Sequence, residues 1–67
     1  MNITLNNNPE TIEQTSITVT QLLKLKNFTF KMLIIKINGK LIQKPDYETT
    51  TIHNGDDVSV LHLISGG

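Results

Sequence analysis

In residues 17–23 the chain reads ITVTQLL, which is the clearest local signal in the sequence and marks the start of a helix. Thr18 stands at the expected N-cap, and Gln21 follows at the spacing of a capping box. Ile17 before the cap and Leu22 at the fourth helical position are placed to form a hydrophobic staple. This stretch therefore predicts a helix that begins directly after Thr18.

The predicted helix is short and has one apolar side. Val19, Leu22, Leu23 and the aliphatic stem of Lys26 recur at helical spacing along that side. Asn27 is expected to end the helix, because asparagine tolerates the left-handed conformation that often follows a last helical turn. A helix of about two turns is not stable alone in water. We therefore expect the rest of the chain to cover its apolar side.

Strands are expected before the helix. Residues 1–5 alternate apolar and polar side chains, which predicts a strand with one buried face. Residues 6–9, NNNP, are typical of a turn. Residues 10–15 alternate more weakly and suit a return strand near a sheet edge. The first part of the chain therefore predicts a hairpin.

The chain after the helix also predicts strands. Residues 32–37, MLIIKI, are apolar at nearly every position, as in a central strand, and the Asn38-Gly39 pair favours a tight hairpin turn into a partner strand. Three further features follow in order: a break at residues 44–47, a short β-prone segment at residues 49–52 and a turn at residues 54–56. A last strand over about residues 57–63 completes an α+β domain, a mixed sheet of four to five strands with one short helix packed across one face.

Side-chain parity in the last strand predicts a partner surface. Val58 and Val60 share one face, whereas Ser59, Leu61 and Leu63 lie on the other. If the valines face the helix, the leucines point outward beside the C-terminus. An apolar patch there favours a binding surface for another protein.

Composition narrows the possible functions of the single domain expected over residues 1–67. The chain has six lysines, no arginine and a formal net charge of +0, so it lacks the basic surface that binds nucleic acid. It has no cysteine, which excludes disulfides, thiolate metal sites and cysteine nucleophiles. Its longest apolar run is four residues, so we expect no membrane segment and a cytoplasmic location.

Few side chains suggest chemistry of their own. His53 and His62 are too few to hold a metal without further ligands, so we expect no metal site. Asp56 and Asp57 follow Asn-Gly and are interpreted as turn residues. Ser65 has no evident base beside it and is interpreted as part of the tail. No catalytic residue is predicted.

The order of elements, ending in Gly66-Gly67, resembles the ubiquitin-like β-grasp fold. Within that fold the whole chain resembles the sulfur carrier family of thiamine biosynthesis, the ThiS family. The shared features are the helix start, Ile37-Asn38-Gly39, Lys44 followed by Tyr47, the stretch NGDDV at residues 54–58 and the terminal Gly-Gly. Members often have Pro-Arg in place of Gln43-Lys44, Trp in place of Tyr47, and Ala or Gly in place of Ser65. Lys44 keeps the positive charge but lacks the forked guanidinium group, so it cannot form the bidentate contacts of an arginine.

The resemblance implies a carrier that is not itself an enzyme. In the family an E1-like enzyme uses ATP and Mg²⁺ to adenylate the terminal glycine, here Gly67, and a sulfur donor such as a cysteine desulfurase converts it to a thiocarboxylate. Thiazole synthase then takes the sulfur. The implied site is Gly67 with the tail residues Ser65 and Gly66, on a flexible tail of about residues 64–67. The expected partner-binding residues are Ser59, Leu61, Leu63 and Ile64, and the chain is expected to bind no cofactor and to be a monomer when free.

Two alternatives stay open. The small subunit of molybdopterin synthase also ends in Gly-Gly, although those chains usually run longer. A β-grasp interaction module that acts by surface contact alone would share the fold and lack the chemistry of the tail.

Overall fold

A computed structural model of the chain describes residues 1–28 and 32–62. Its elements are β1 Asn2–Leu5, β2 Asn8–Thr11, β3 Ser16–Thr18, α1 Val19–Leu25, β4 Leu33–Ile37, β5 Lys40–Ile42, a 3₁₀ helix at Lys44–Asp46, β6 Thr51–His53 and β7 Asp57–His62. Five strands form one sheet in the order β2-β1-β7-β4-β5, and β3 pairs with β6 in a smaller sheet. The pairing of β1 with β7 is parallel and the other pairings are antiparallel. The predicted α+β fold, a mixed sheet with one helix across it, is confirmed.

The start of α1 has the predicted capping box. The Gln21 backbone N–H donates to Thr18 Oγ1 at 3.1 Å, and the Thr18 backbone N–H donates to Gln21 Oε1 at 2.8 Å. The helix has 7 residues, and Asn27, just beyond it, has a φ of 58°. The sequence therefore predicted both ends of α1, because each end depends on contacts within a few residues.

The core lies between α1 and the five-stranded sheet. Val19 and Leu22 of α1 are fully buried, as are Ile35 of β4 and Val58 of β7. The remaining buried apolar residues are Ile3, Leu5, Ile12, Ile17, Ile37 and Ile52. Each fully buried aliphatic side chain contributes roughly 1.5–3 kcal/mol relative to an exposed one, so this cluster stabilises a helix that could not form alone.

Asparagines form the tight turns between strands. Asn6 and Asn7 have φ values of 51° and 67° and connect β1 to β2, while Asn38 has a φ of 51° and connects β4 to β5 with Gly39. Asparagine and glycine adopt this left-handed conformation at low cost, which suits two-residue hairpins. The first turn occupies only two of the four predicted residues, so Pro9 lies within β2. Proline is tolerated there because β2 is an edge strand.

The expected return strand over residues 10–15 has the wrong bounds. β2 ends at Thr11, and residues 16–18 form β3, which pairs with β6 in the register Ile17↔Ile52. That pairing joins distant parts of the chain, which short-range alternation does not reveal. In the part of the chain that the structure describes, no helix is long and apolar enough to cross a membrane.

Candidate functional site

The strand that leads toward the C-terminus, β7, lies at the centre of the five-stranded sheet. It pairs with β1 through Leu5↔Val58 on one side and with β4 through Ile35↔Val60 on the other. Val58 is fully buried and Val60 is half-buried against the core. Two neighbouring strands and a buried face hold β7 in place, so the tail begins from a rigid base.

Asn6 extends the support of β7 beyond the end of β1. Its backbone N–H donates to the Val58 carbonyl at 2.9 Å, and its side-chain Oδ1 accepts from the Val60 N–H at 2.8 Å. The chain turns away at Asn6, so this side chain satisfies a β7 donor that no strand residue reaches. Asn6 therefore begins the turn and also extends the hydrogen bonding of β7 by one residue beyond the end of β1.

The partner-binding residues proposed from parity lie only partly within the described structure. Ser59 and Leu61 are exposed on the face of β7 opposite Val58, as predicted, and Leu61 is 54% accessible. Leu63, Ile64, Ser65, Gly66 and Gly67 lie outside the described residues, so their predicted roles stay predictions.

Leu61 belongs to an apolar patch that spans three strands. Ile34 on β4 lies directly opposite Leu61, and Leu41 on β5 lies opposite Lys36, diagonal to Ile34. Leu41 is 50% accessible and Ile34 is half-buried. We call Ile34, Leu41 and Leu61 the outer-face patch, because they lie on the sheet face turned away from α1. Contiguous exposed apolar residues of this kind mark surfaces that bind other proteins.

Sequence reasoning found Leu61 and missed Leu41 and Ile34. A signal for Leu41 exists, because the two-residue Asn38-Gly39 turn sets Lys36 opposite Leu41 and therefore puts Leu41 on the same face as Ile34. The pairing of Ile34 with Leu61 has no such local signal. It joins β4 to β7, which are separated in the chain by β5, the 3₁₀ helix and β6.

Lys36 gives the outer-face patch its charge. It lies between Leu41 and Ser59 in the cross-strand register, is exposed, and forms no ion pair with a described residue. A partner surface that complements the patch would therefore be apolar with at least one acidic group.

Of the two acidic residues that follow the Asn54-Gly55 turn, Asp56 has a structural role in the turn and Asp57 begins β7. Asp56 Oδ1 accepts from Asn38 Nδ2 at 3.0 Å, and Asp56 Oδ2 accepts from the His53 backbone N–H at 2.9 Å. Both carboxylate oxygens are thereby used to join two turns. Over residues 1–28 and 32–62, no group of three or more histidines or acidic residues is arranged to hold a metal ion.

Comparison with known proteins gives the family. The model of the ThiS family matches residues 3–67 of the chain. The chain belongs to the ThiS family. No curated protein sequence matches it. The match includes the residues beyond His62 and ends at Gly67.

Two solved structures of ThiS-type proteins resemble this family member along its whole length. The crystal structure of the thiamine biosynthesis protein ThiS from Geobacter metallireducens has a TM-score of 0.87 and 33% identity, and the match covers 100% of both chains. The NMR solution structure of a thiamine biosynthesis protein from the same organism has a TM-score of 0.78 and 33% identity, covering 100% of this chain and 88% of the other. The ubiquitin-like β-grasp fold is confirmed.

Membership of the ThiS family gives the coarse function. The family consists of small carrier proteins, which supports a sulfur carrier of thiamine biosynthesis rather than an enzyme. It also implies an adenylating enzyme and a thiazole synthase as the kinds of partner that this ThiS-family chain meets. The outer-face patch includes Leu61 of β7, the strand that leads toward the C-terminus.

Proposed function

We propose that this chain carries sulfur as a thiocarboxylate on the main-chain carboxyl group of Gly67 and donates it for the thiazole moiety of thiamine. The observation that supports the proposal is the family match over residues 3–67, which includes the terminal Gly-Gly. A main-chain carboxylate is ionised at neutral pH and is a poor electrophile. It therefore has to be activated before sulfur can be attached.

Activation is proposed to occur on a partner. The adenylating enzyme supplies ATP and Mg²⁺, joins AMP to the Gly67 carboxyl group and releases pyrophosphate. A persulfide sulfur from a donor such as a cysteine desulfurase then attacks the Gly67 acyl carbon and displaces AMP. A thiol reductant cleaves the S–S bond of the resulting acyl disulfide and releases the thiocarboxylate, which thiazole synthase consumes. The chain itself binds no cofactor in this scheme and works in the cytoplasm beside its partners.

The described structure suits this division of labour. β7 is fixed by β1, β4 and the Asn6 side chain, so the base of the tail has a defined direction. Gly66 and Gly67 have no side chain, which allows the backbone to enter a narrow active site in another protein. We propose that the outer-face patch, together with Ser59, Leu63 and Ile64, docks on the partner while Ser65 and the glycines reach its active site.

Mass spectrometry tests the proposal directly. The chain is incubated with the adenylating enzyme from the same genome, ATP, Mg²⁺, a cysteine desulfurase, cysteine and a thiol reductant. We expect an intact-mass increase equal to the replacement of one oxygen by sulfur, located at Gly67 by fragmentation. The increase should disappear when ATP is left out. If an active enzyme set leaves the mass unchanged, the chain is an interaction module and not a sulfur carrier.

A complementation experiment separates the two carrier pathways. Expression in a strain that lacks its own thiamine sulfur carrier should restore growth without thiamine, while a strain lacking the small subunit of molybdopterin synthase should not be rescued. Rescue of the second strain alone would assign the chain to molybdopterin synthesis.

A further inference from the structure

A cleft of about 500 Å³ lies on the helix side of the domain, between α1 and the segment that contains the 3₁₀ helix. Leu23, Phe28 and Tyr47 line it. All three are half-buried and pack against the hydrophobic core. The cleft therefore exposes an apolar surface that is held in place by packing against the hydrophobic core.

Backbone hydrogen bonds hold the walls of the cleft together. The Thr20 N–H donates to the Tyr47 carbonyl at 3.1 Å and ties the first turn of α1 to the segment after the 3₁₀ helix. The Phe28 N–H donates to the Leu23 carbonyl at 2.8 Å and fixes the chain as it leaves α1. The cleft is thus formed in the unbound protein, so a ligand would not have to order it.

Unpaired positive charge surrounds the apolar walls. Lys24 and Lys44 line the cleft, and neither forms an ion pair with a described residue. Glu48 also lines the cleft but lies beyond ion-pair distance of both amines. The lining therefore has two lysines against one glutamate in a chain whose formal net charge is +0.

We propose that this cleft is a binding site for a protein segment that inserts one large apolar side chain between two carboxylates. The apolar side chain would cover Leu23, Phe28 and Tyr47, and the carboxylates would meet Lys24 and Lys44. In protein interfaces a buried apolar anchor supplies most of the binding energy, and complementary charges around it set the orientation of the partner. An acidic segment with an aromatic or large aliphatic anchor fits both the walls and the charge.

The cleft and the outer-face patch lie on opposite sides of the five-stranded sheet. Ile34, Leu41 and Leu61 face away from α1, whereas the cleft is lined by α1 itself. A protein bound at the cleft would leave the outer-face patch accessible. The site is therefore additional to the docking surface used in the proposed function, and its test does not depend on sulfur transfer.

A short peptide tests the site in the full-length chain. The probe is acetyl-Glu-Trp-Leu-Asp-amide, titrated into the ¹⁵N-labelled protein and followed by two-dimensional NMR. We expect saturable shifts of the backbone amides of Leu23, Lys24 and Tyr47, with little change at Leu61. The matched control peptide, acetyl-Lys-Trp-Leu-Lys-amide, has the same apolar core and should bind on the order of tenfold more weakly at low salt.

Charge reversal on the protein provides the second arm. The double variant K24E/K44E should weaken the acidic peptide on the order of tenfold, because two exposed ion pairs become like-charge contacts. The control variant K36E/K40E makes the same change of charge on the sheet. Lys36 is exposed on the outer face, and Lys40 is exposed in the edge strand β5. This variant should bind the acidic peptide with unchanged affinity. The dispersion of the amide spectrum shows that each variant is folded.

Three results would overturn the site. One is the absence of saturable shifts at millimolar peptide, and another is equal affinity for the acidic and basic peptides. The third is a set of shifts centred on Leu61 and Leu41, which would assign apolar binding to the outer-face patch instead. None of these results affects the mass-spectrometric test of the carrier, so the two proposals fail separately.

Discussion

Ile34 on β4 and Leu61 on β7 lie directly opposite each other, on the sheet face turned away from α1. Residues paired in this way have Cβ atoms about 4.5–5.5 Å apart, so their side chains form one continuous apolar surface. Ile34 is half-buried, whereas Leu61 is 54% accessible. Ile34 therefore supports the patch from within the sheet, and Leu61 is its most exposed member.

Replacing Leu61 with aspartate should weaken binding to the adenylating enzyme while the domain stays folded. Charge at the centre of an apolar interface typically costs tenfold or more in affinity, on the order of 1.4 kcal/mol. The side chain is mostly exposed, so the loss of folding stability should stay near the ~1 kcal/mol range of β propensities. Calorimetric titration with the enzyme and a thermal melt measure the two effects.

Leu25→Asp is the matched control for Leu61→Asp. Leu25 on α1 is 55% accessible, nearly the same as Leu61, but it lies on the helix side of the domain. The Leu25→Asp variant should bind the adenylating enzyme with the same affinity as the unchanged chain. Equal losses of affinity in the two variants would show that the outer-face patch has no special role.

Local interactions explain why the sequence predicted α1 so well. The capping box joins Thr18 and Gln21, and the left-handed residue Asn27 follows the C-cap residue Lys26. Both features depend on residues within one turn of each other. The Asn38-Gly39 hairpin was predictable for the same reason, since a two-residue turn sets its own register.

Long-range pairing explains what the sequence did not predict. β7 lies between β1 and β4, and β3 pairs with β6, which are contacts between segments far apart in the chain. Alternation within a strand shows which residues share a face but not which strand lies beside it. The sequence therefore predicted that Leu61 faces outward, whereas only the structure shows that Ile34 lies beside it on the same face.

Replacing Thr18 with alanine should destabilise the domain by about 1 kcal/mol, because the Gln21 N–H loses its acceptor at the helix start. For a domain of this size that corresponds to a fall of about 4–8 °C in the thermal midpoint. Calorimetry or circular dichroism measures the shift. Thr15→Ala is the control, because the exposed Thr15 side chain makes no hydrogen bond with the described residues. A comparable loss in both variants would contradict a role for the capping box.

Replacing Asn38 with glycine isolates its side-chain hydrogen bonds, because glycine keeps the positive φ of the turn. The Asn38 side chain donates to Asp56 Oδ1 at 3.0 Å and accepts from the Asp57 backbone N–H at 2.8 Å. Losing both bonds should lower the free energy of unfolding by about 1–2 kcal/mol more than Asn7→Gly does. Urea denaturation measures the difference between the two variants.

Asn7 is the matched control for that comparison. It also adopts a positive φ in a two-residue turn, at 67°, but its side chain makes no hydrogen bond with the described residues. The general cost of adding a glycine to the unfolded chain is therefore similar in both variants. Equal stabilities would show that the link between the Asn38 turn and Asp56 contributes nothing measurable.

Deleting Gly67 should abolish adenylation without changing the thermal midpoint. Terminal residues seldom support a core, so the fold should not respond. The shortened chain still ends in a carboxylate, that of Gly66, but one extended residue spans about 3.3–3.6 Å. The carboxyl group would fall short of its normal position by that distance, and a displacement of about 1 Å at a reacting centre can cost 100-fold in rate.

ATP–pyrophosphate exchange by the adenylating enzyme measures the loss of adenylation. Competition with the unchanged chain should show that docking through the outer-face patch persists. Exchange at the rate of the unchanged chain would contradict Gly67 as the activated residue, and loss of docking would place Gly67 in the binding surface instead.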